Sequence, residues 1–121
     1  MEKVPRPPTV FKDSAIVKFL IFEHDDSSYL RWGPPEKDGS LFTHFAIRNQ
    51  FLDELLKAGL KADGLGEIVG GTTVMSLKKI QYIGDCQPYP IAEFEHFKNL
   101  VLSKHNDYHV IYEPIGPKQD S

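Results

Sequence analysis

Residues 14–22 read SAIVKFLIF, an apolar and β-branched run that is interrupted by one lysine, Lys18. Such a run is typical of a buried strand. Lys18 is an exception, because an ammonium group in an apolar strand costs free energy unless its head reaches water or an anion. Exposure of one face of the strand explains the lysine simply. The alternative is a cation placed at the mouth of a binding site.

Further strands are predicted from other apolar or alternating segments, which are residues 29–33 (YLRWG), 67–77 (EIVGGTTVMSL), 79–83 (KIQYI) and 108–112 (YHVIY). The segments 67–77 and 79–83 are expected to pair through a short turn near Lys78. Gly70 and Gly71 indicate a bulge or a close approach of the backbone within the first of these two strands.

Between the strands, two segments have the hydrophobic period of a helix. Apolar residues at helical spacing from Phe45 predict a first helix, with Thr43 as its N-cap and Gly59 or Gly64 at its end. Residues 91–104 predict a second helix with one apolar stripe. The predicted order β-β-α-β-β-α-β indicates a single α/β (α+β) domain, a mixed sheet of five to six strands with two helices packed on it.

Length and composition agree with one globular domain, because the 121 residues are 40% hydrophobic and 26% charged. The prolines in residues 1–13 predict a flexible N-terminal arm, residues 14–115 the folded domain, and residues 116–121 a frayed C-terminus. The net charge of −3 gives no electrostatic reason to expect a nucleic-acid partner.

The single cysteine, Cys86, cannot form an internal disulfide and fits a reducing compartment. The N-terminus lacks the apolar run of a signal peptide, and no stretch approaches the ~20 apolar residues that a membrane helix needs. We therefore expect a cytoplasmic monomer without membrane association. No histidine has metal-ligand spacing to an acidic or cysteine partner, so no metal and no cofactor are expected.

His44 is the most informative of the five histidines, because it lies where a proline-rich loop meets the first helix. The start of a helix favours anions, and an imidazole can take or give a proton near neutral pH. These properties suit phosphate chemistry; the alternative is a surface histidine without a role. Arg31 could direct a guanidinium at phosphate, or could be a solvated strand residue whose stem covers an aromatic ring.

In this order the segments resemble the janus family, whose best-known members are the small protein phosphohistidine phosphatases. VKFLI at 17–21 is similar to the family's first strand, and YLRWG at 29–33 to the strand that carries a basic residue. THFAI at 43–47 lies where the family has a histidine that opens its first helix.

The second half of the chain continues the resemblance. EIVGGTTV at 67–74 is similar to the family's glycine-rich strand, and KIQYIGDCQPYP at 79–90 to the following strand and phosphate loop. NDYHVIY at 106–112 resembles the closing strand. The similarity extends from about residue 14 to 113 and is carried by the ordered series rather than by any single motif.

The resemblance implies a metal-independent phosphatase that acts on phosphohistidine-containing protein substrates. His44 would be the catalytic histidine, either as general base on the attacking water or in direct transfer. Lys18 would steady the phosphoryl group, with Arg31 as a supporting charge. The loop at 84–88, including Gly84 and Cys86, would donate backbone N–H groups to the phosphate oxygens.

Three residues depart from the family's pattern. Thr73 stands where active members have an arginine that contacts phosphate, and the resemblance makes Thr73 the candidate phosphate contact at that position. Pro88 stands where the family offers an N–H group, which proline lacks. Asp85 places a carboxylate in the phosphate loop, where it would repel the ligand.

These departures keep two other hypotheses open. The first is a weakly active or inactive janus-fold protein that binds a phosphorylated ligand or a protein partner. The second is an unrelated α/β interaction domain in which the histidine is incidental. Both of the janus hypotheses require Lys18 and His44 to lie on the same face of the sheet.

Overall fold

A five-stranded sheet with two helices forms the computed structural model, which describes residues 1–38, 42–84, 86 and 89–114. The elements in chain order are β1 (Ala15–His24), β2 (Ser27–Gly33), α1 (His44–Lys57), a short 3-10 helix (Ala62–Gly64), β3 (Leu65–Ser76), β4 (Lys79–Gly84), α2 (Phe94–Lys104) and β5 (His109–Tyr112). The strand order is β2-β1-β3-β4-β5, with β4 and β5 parallel and the other neighbours antiparallel. The predicted fold class is confirmed.

Strand β1 is buried on both faces because it lies between β2 and β3 and a helix covers each side of the sheet. Phe19 and Ile21 belong to the core cluster that contains Phe97 of α2. Leu20 and Phe22 belong to the second cluster, which contains the buried face of α1. Side chains alternate between the faces of a strand, so two buried faces require the continuous apolar run seen in the sequence.

Helix α1 begins and ends where its capping residues predict. The Thr43 side chain accepts a hydrogen bond from the Ala46 N–H at 3.1 Å. At the other end Gly59 has a φ of 76° and donates to the carbonyl of Leu56, a left-handed helix ending that glycine adopts readily.

Helix α2 begins at Phe94, three residues later than the predicted start at residue 91. The reason is that residues 90–92 pair with β3 instead of entering the helix. The Gly70 N–H donates to the Pro90 carbonyl at 3.0 Å, and the Ala92 N–H donates to the Gly70 carbonyl at 2.8 Å.

The paired glycines of β3 allow a close approach of neighbouring side chains. A Cβ atom on Gly71 would lie 2.9 Å from the ring of Phe19, and one on Gly70 would lie 2.5 Å from Leu20 Cδ2. Of the two predicted roles, close approach therefore applies. The register shifts of β3 lie elsewhere, opposite Glu23 and next to Thr73.

The N-terminal segment packs against the domain, which differs from the predicted flexible arm. Val4 is buried, and the Lys3 carbonyl accepts a hydrogen bond from the Leu30 N–H at 2.8 Å. The Pro5 carbonyl accepts from Trp32 Nε1 at 3.0 Å. Strand β2 is an outer strand whose free side has no neighbouring strand in the sheet, so this segment covers an edge of the sheet. The predicted frayed end at 116–121 lies outside the described residues.

No helix in the described part of the chain is long and apolar enough to span a membrane.

We predict that deletion of residues 1–8 destabilises the domain and uncovers Trp32, the chain's single tryptophan. Loss of the buried Val4 side chain and of the hydrogen bonds from Leu30, Trp32 and His105 should cost about 2–4 kcal/mol. Urea unfolding should show the loss, and Trp32 fluorescence should shift to longer wavelength. The control replaces the exposed Lys12 and Asp13 by alanine. An unchanged emission maximum and midpoint after the deletion would restore the flexible-arm interpretation.

Candidate functional site

A row of four residues crosses the sheet at Lys18. Lys18 pairs with Gly33 on one side and with Thr72 on the other, and Thr72 pairs with Gly84. Directly opposed residues share a face of the sheet. Lys18 lies two residues before Leu20, which packs in the cluster of α1, so the row faces α1.

The first turn of α1 lies over this row. The Ile47 side chain fills the space above Gly33, where a Cβ atom would be 3.0 Å from Ile47 Cδ1. His44 is buried at the helix start, and its Nε2 lies 3.1 Å from the carbonyl oxygen of Gly71, next to Thr72. Lys18 and His44 therefore lie on the same face of the sheet, as both janus hypotheses require.

The contact with Gly71 fixes the chemistry of the His44 ring. A carbonyl oxygen can only accept, so Nε2 carries the proton in the neutral ring and Nδ1 carries the lone pair. The backbone of β3 thereby orients the imidazole, and Nδ1 is the basic nitrogen of this tautomer. This arrangement suits a general base or a nucleophile toward phosphorus.

The surroundings of His44 favour an anion. The first turn of α1 contains no acidic residue, so nothing there offsets the positive end of the helix dipole. Lys18 is half-buried, and within the described ranges it has no acidic partner. An ammonium group beside the start of a helix can hold a phosphate-sized dianion between them.

Arg31 does not extend this site. Its guanidinium donates to Glu54 through Nε at 3.0 Å and Nη2 at 2.9 Å, and it lies over the rings of Tyr29 and Phe51. These contacts direct Arg31 toward the C-terminal half of α1, away from His44. The structure thus agrees with the simpler alternative, a strand arginine that packs on aromatic rings, with a carboxylate partner in addition.

Thr73, predicted to contact phosphate, lies on the opposite face of the sheet from Lys18. Its hydroxyl is fully buried and donates to the Val17 carbonyl at 2.8 Å. The physical reason is the alternation along β3, which places Thr72 on the face of Lys18 and turns Thr73 toward α2. Thr72 is therefore the hydroxyl at the site. The sequence contained a signal for this choice. Thr72 lies two residues after Gly70 and therefore shares its face of the strand, and Leu20 packs against Gly70 on that face.

Gly84 and Cys86 lie on the same side as His44. Gly84 ends the row opposite Thr72 and has a φ of 86°, which glycine adopts without strain. Cys86 is buried in the cluster of α1, beside Gly70. Asp85 and Pro88, the two loop departures, lie outside the described residues.

The described residues contain no group of three or more His, Cys, Asp or Glu side chains that could hold a metal ion. No protein-family model matches the chain, and no curated protein matches it.

We predict that Glu54→Ala destabilises the domain by about 1–3 kcal/mol. Arg31 is buried, and the change would leave its guanidinium without a carboxylate; the half-exposed position of Glu54 limits the loss. Chemical denaturation measures the effect. Asp53→Ala, which removes an exposed carboxylate one residue away, should change stability by less than ~0.5 kcal/mol. Equal stabilities of the two variants would contradict the structural role of Arg31.

Proposed function

We propose that this chain is a metal-independent protein phosphohistidine phosphatase that uses His44 and Lys18. The observation that carries the proposal is the position of both residues on the α1 face of the sheet, at the start of α1. The order of the segments along the chain, with its resemblance to the janus family, supports the same activity. A cytoplasmic location is part of the proposal and follows from the single cysteine.

The proposed reaction replaces a P–N bond by a P–O bond. In the first route, His44 Nδ1 accepts a proton from water as its oxygen attacks phosphorus, and the leaving imidazole takes up a proton. In the second route, His44 Nδ1 attacks phosphorus itself, and water then hydrolyses the phosphorylated His44. The two routes give the same products, which are inorganic phosphate and an unmodified histidine.

Lys18 and the helix start neutralise charge in either route. Charge accumulates on the phosphoryl oxygens in the transition state, where a fixed ammonium group and backbone N–H groups stabilise it without reorganisation. Thr72 adds a hydroxyl next to Lys18 in the same row. Such a site would accelerate the reaction by orienting the phosphoryl group and by stabilising its negative charge.

A binding protein on the same scaffold is the second candidate. Two observations favour it: Glu54 neutralises Arg31, and Thr73 faces α2. Lys18 is then the one side-chain cation that we place at the site from the described residues. A single cation can bind a phosphate group. Acceleration of phosphoryl transfer needs further groups that bind the transition state more strongly than the bound substrate.

We predict that the native chain releases phosphate from a phosphohistidine-containing protein in the presence of chelator. His44→Ala should lower the rate by about 10²–10⁴-fold, and Lys18→Gln by about 10²–10³-fold. His109→Ala on β5 and Lys79→Gln on β4 are matched controls and should retain the native rate. Phosphoserine and phosphotyrosine proteins test selectivity. A well-folded native chain without turnover would exclude the enzyme.

We further predict that inorganic phosphate binds at the start of α1 in either candidate. Titration followed by amide NMR should shift the signals of Phe45 and Ala46, in the first turn. Lys18→Gln should weaken this binding several-fold, since it removes the adjacent charge. Shifts that are absent, or that Lys18→Gln leaves unchanged, would argue against both candidates and favour an incidental histidine.

A further inference from the structure

A short edge segment, residues 89–92, lies beside β3 where β4 has ended. Its Pro90 carbonyl and Ala92 N–H bond to Gly70, and the Tyr82 hydroxyl donates to the Ala92 carbonyl at 2.5 Å. Burial raises the pKa of the Tyr82 phenol, so this donor keeps its proton. Since backbone groups alternate in direction, the N–H and carbonyl of Ile91 point away from β3. The edge segment therefore presents backbone hydrogen-bonding groups on its outer side.

An apolar surface connects His44 with the edge segment. Phe45 follows His44 directly, is 62% exposed, and has its ring 6.4 Å from that of Tyr89. Ile91, two residues further along, is 56% exposed. A chain that leaves the His44 site in this direction would contact aromatic and aliphatic side chains before it reaches the outer edge.

Beyond the edge segment lies a cavity of about 360 Å³ on the α2 side of the sheet. Pro90 and Ile91 form one part of its wall, and the carboxylates of Glu23, Glu67 and Glu93 lie around it with His96. The register shift of β3 places Gly66 and Glu67 together opposite Glu23, so two like charges are neighbours. Glu23 Oε2 already accepts a hydrogen bond from the Ser28 hydroxyl at 2.6 Å and lies 3.7 Å from His96 Nε2, so Glu67 is the neighbouring carboxylate that an added cation would stabilise.

Each of these three features has a different complement. Outward backbone groups at a sheet edge complement an extended polypeptide, exposed aromatic and aliphatic side chains complement apolar ones, and carboxylates complement lysine or arginine. The three are continuous through Tyr89, Pro90 and Ile91.

We propose that the edge segment and the acidic cavity together bind an extended, positively charged segment of polypeptide. The further statement that this segment belongs to the phosphohistidine substrate rests on the proposed function. The ring contact and the two residues from Tyr89 to Ile91 span roughly 13–15 Å, at about 3.3 Å per residue. The carboxylates lie around the cavity beyond Ile91, which adds to this span, so the basic side chain lies about four to six residues from the phosphohistidine.

The test compares pairs of synthetic peptides whose two members differ only in charge. Each carries a phosphohistidine, a spacer of alternating serine and valine, and at positions four to six either lysines or glutamines; a second pair places these residues on the other side. Michaelis constants for phosphate release are measured at 50 mM and 300 mM salt. Binding of fluorescein-labelled, unphosphorylated peptides is measured in parallel by anisotropy.

We expect the native chain to favour one of the lysine peptides about fivefold in Michaelis constant and in affinity at low salt, less at high salt. The double variant Glu67→Gln/Glu93→Gln should reduce this preference to less than twofold. Glu95→Gln, which removes an exposed carboxylate of α2 away from the cavity, should retain it. Equal affinities for both peptides of each pair, or a preference that the double variant keeps, would overturn the proposal.

Two more variants separate the contribution of the backbone from that of the side chain. Ile91→Pro removes the outward N–H and leaves the bonds of Pro90 and Ala92 to Gly70 in place. It should weaken peptide binding more than Ile91→Ala does; equal losses would overturn the edge pairing. Spermidine that binds as tightly as the lysine peptide would show that the cavity selects charge alone, and would overturn a polypeptide ligand.

Failure of the proposed function gives a different result. Free phosphohistidine is too short to reach the edge segment, so its hydrolysis tests the His44 site alone. A native chain that hydrolyses neither free phosphohistidine nor the peptides, but still prefers the lysine peptide in anisotropy, would refute the phosphatase and leave the docking surface supported.

Discussion

The burial of β1 on both faces is the constraint on which the rest of the structure depends. A strand in the second position of a five-stranded sheet, with a helix over each face, offers apolar neighbours to every side chain along its middle. Leucine, isoleucine and phenylalanine satisfy that constraint at low cost, and they anchor α1 and α2 on opposite sides. The same constraint explains why Lys18 is a candidate site residue. Its ammonium group has to reach water or an anion from the α1 face, in the row over which the first turn of α1 lies.

The candidate site follows from this arrangement. The start of α1 is fixed over β3 by the contact of His44 with the Gly71 carbonyl, and over β2 by the packing of Ile47 on Gly33. Lys18 lies between those two strands. A helix start, a buried imidazole and an ammonium group are thereby held together by packing that also stabilises the fold. Gly33 and Gly70 make this close approach possible, since a side chain at Gly33 would displace Ile47 and one at Gly70 would displace Leu20 and Cys86.

The interior of the fold could be predicted from the sequence, whereas the surfaces could not. The hydrophobic periods of the strands and helices, the N-cap Thr43 and the terminal Gly59 are local signals, and they gave elements within one to three residues of those observed. The docking of residues 3–5 and the pairing of residues 90–92 depend on partners that lie between 20 and about 100 residues away. A proline-rich segment has the same composition whether it is free or covers a sheet edge, so local composition cannot distinguish the two.

The sequence by itself determined the class of the fold and the order of its elements, and it selected Lys18 and His44 as candidates for a site. These depend on hydrophobic period, capping and the cost of a charge in an apolar strand, which are properties of neighbouring residues. Only the tertiary structure decided that Thr72 rather than Thr73 faces His44, and that Arg31 pairs with Glu54. The physical reason is that register and helix placement set which faces meet, and both arise from contacts between residues distant in the chain.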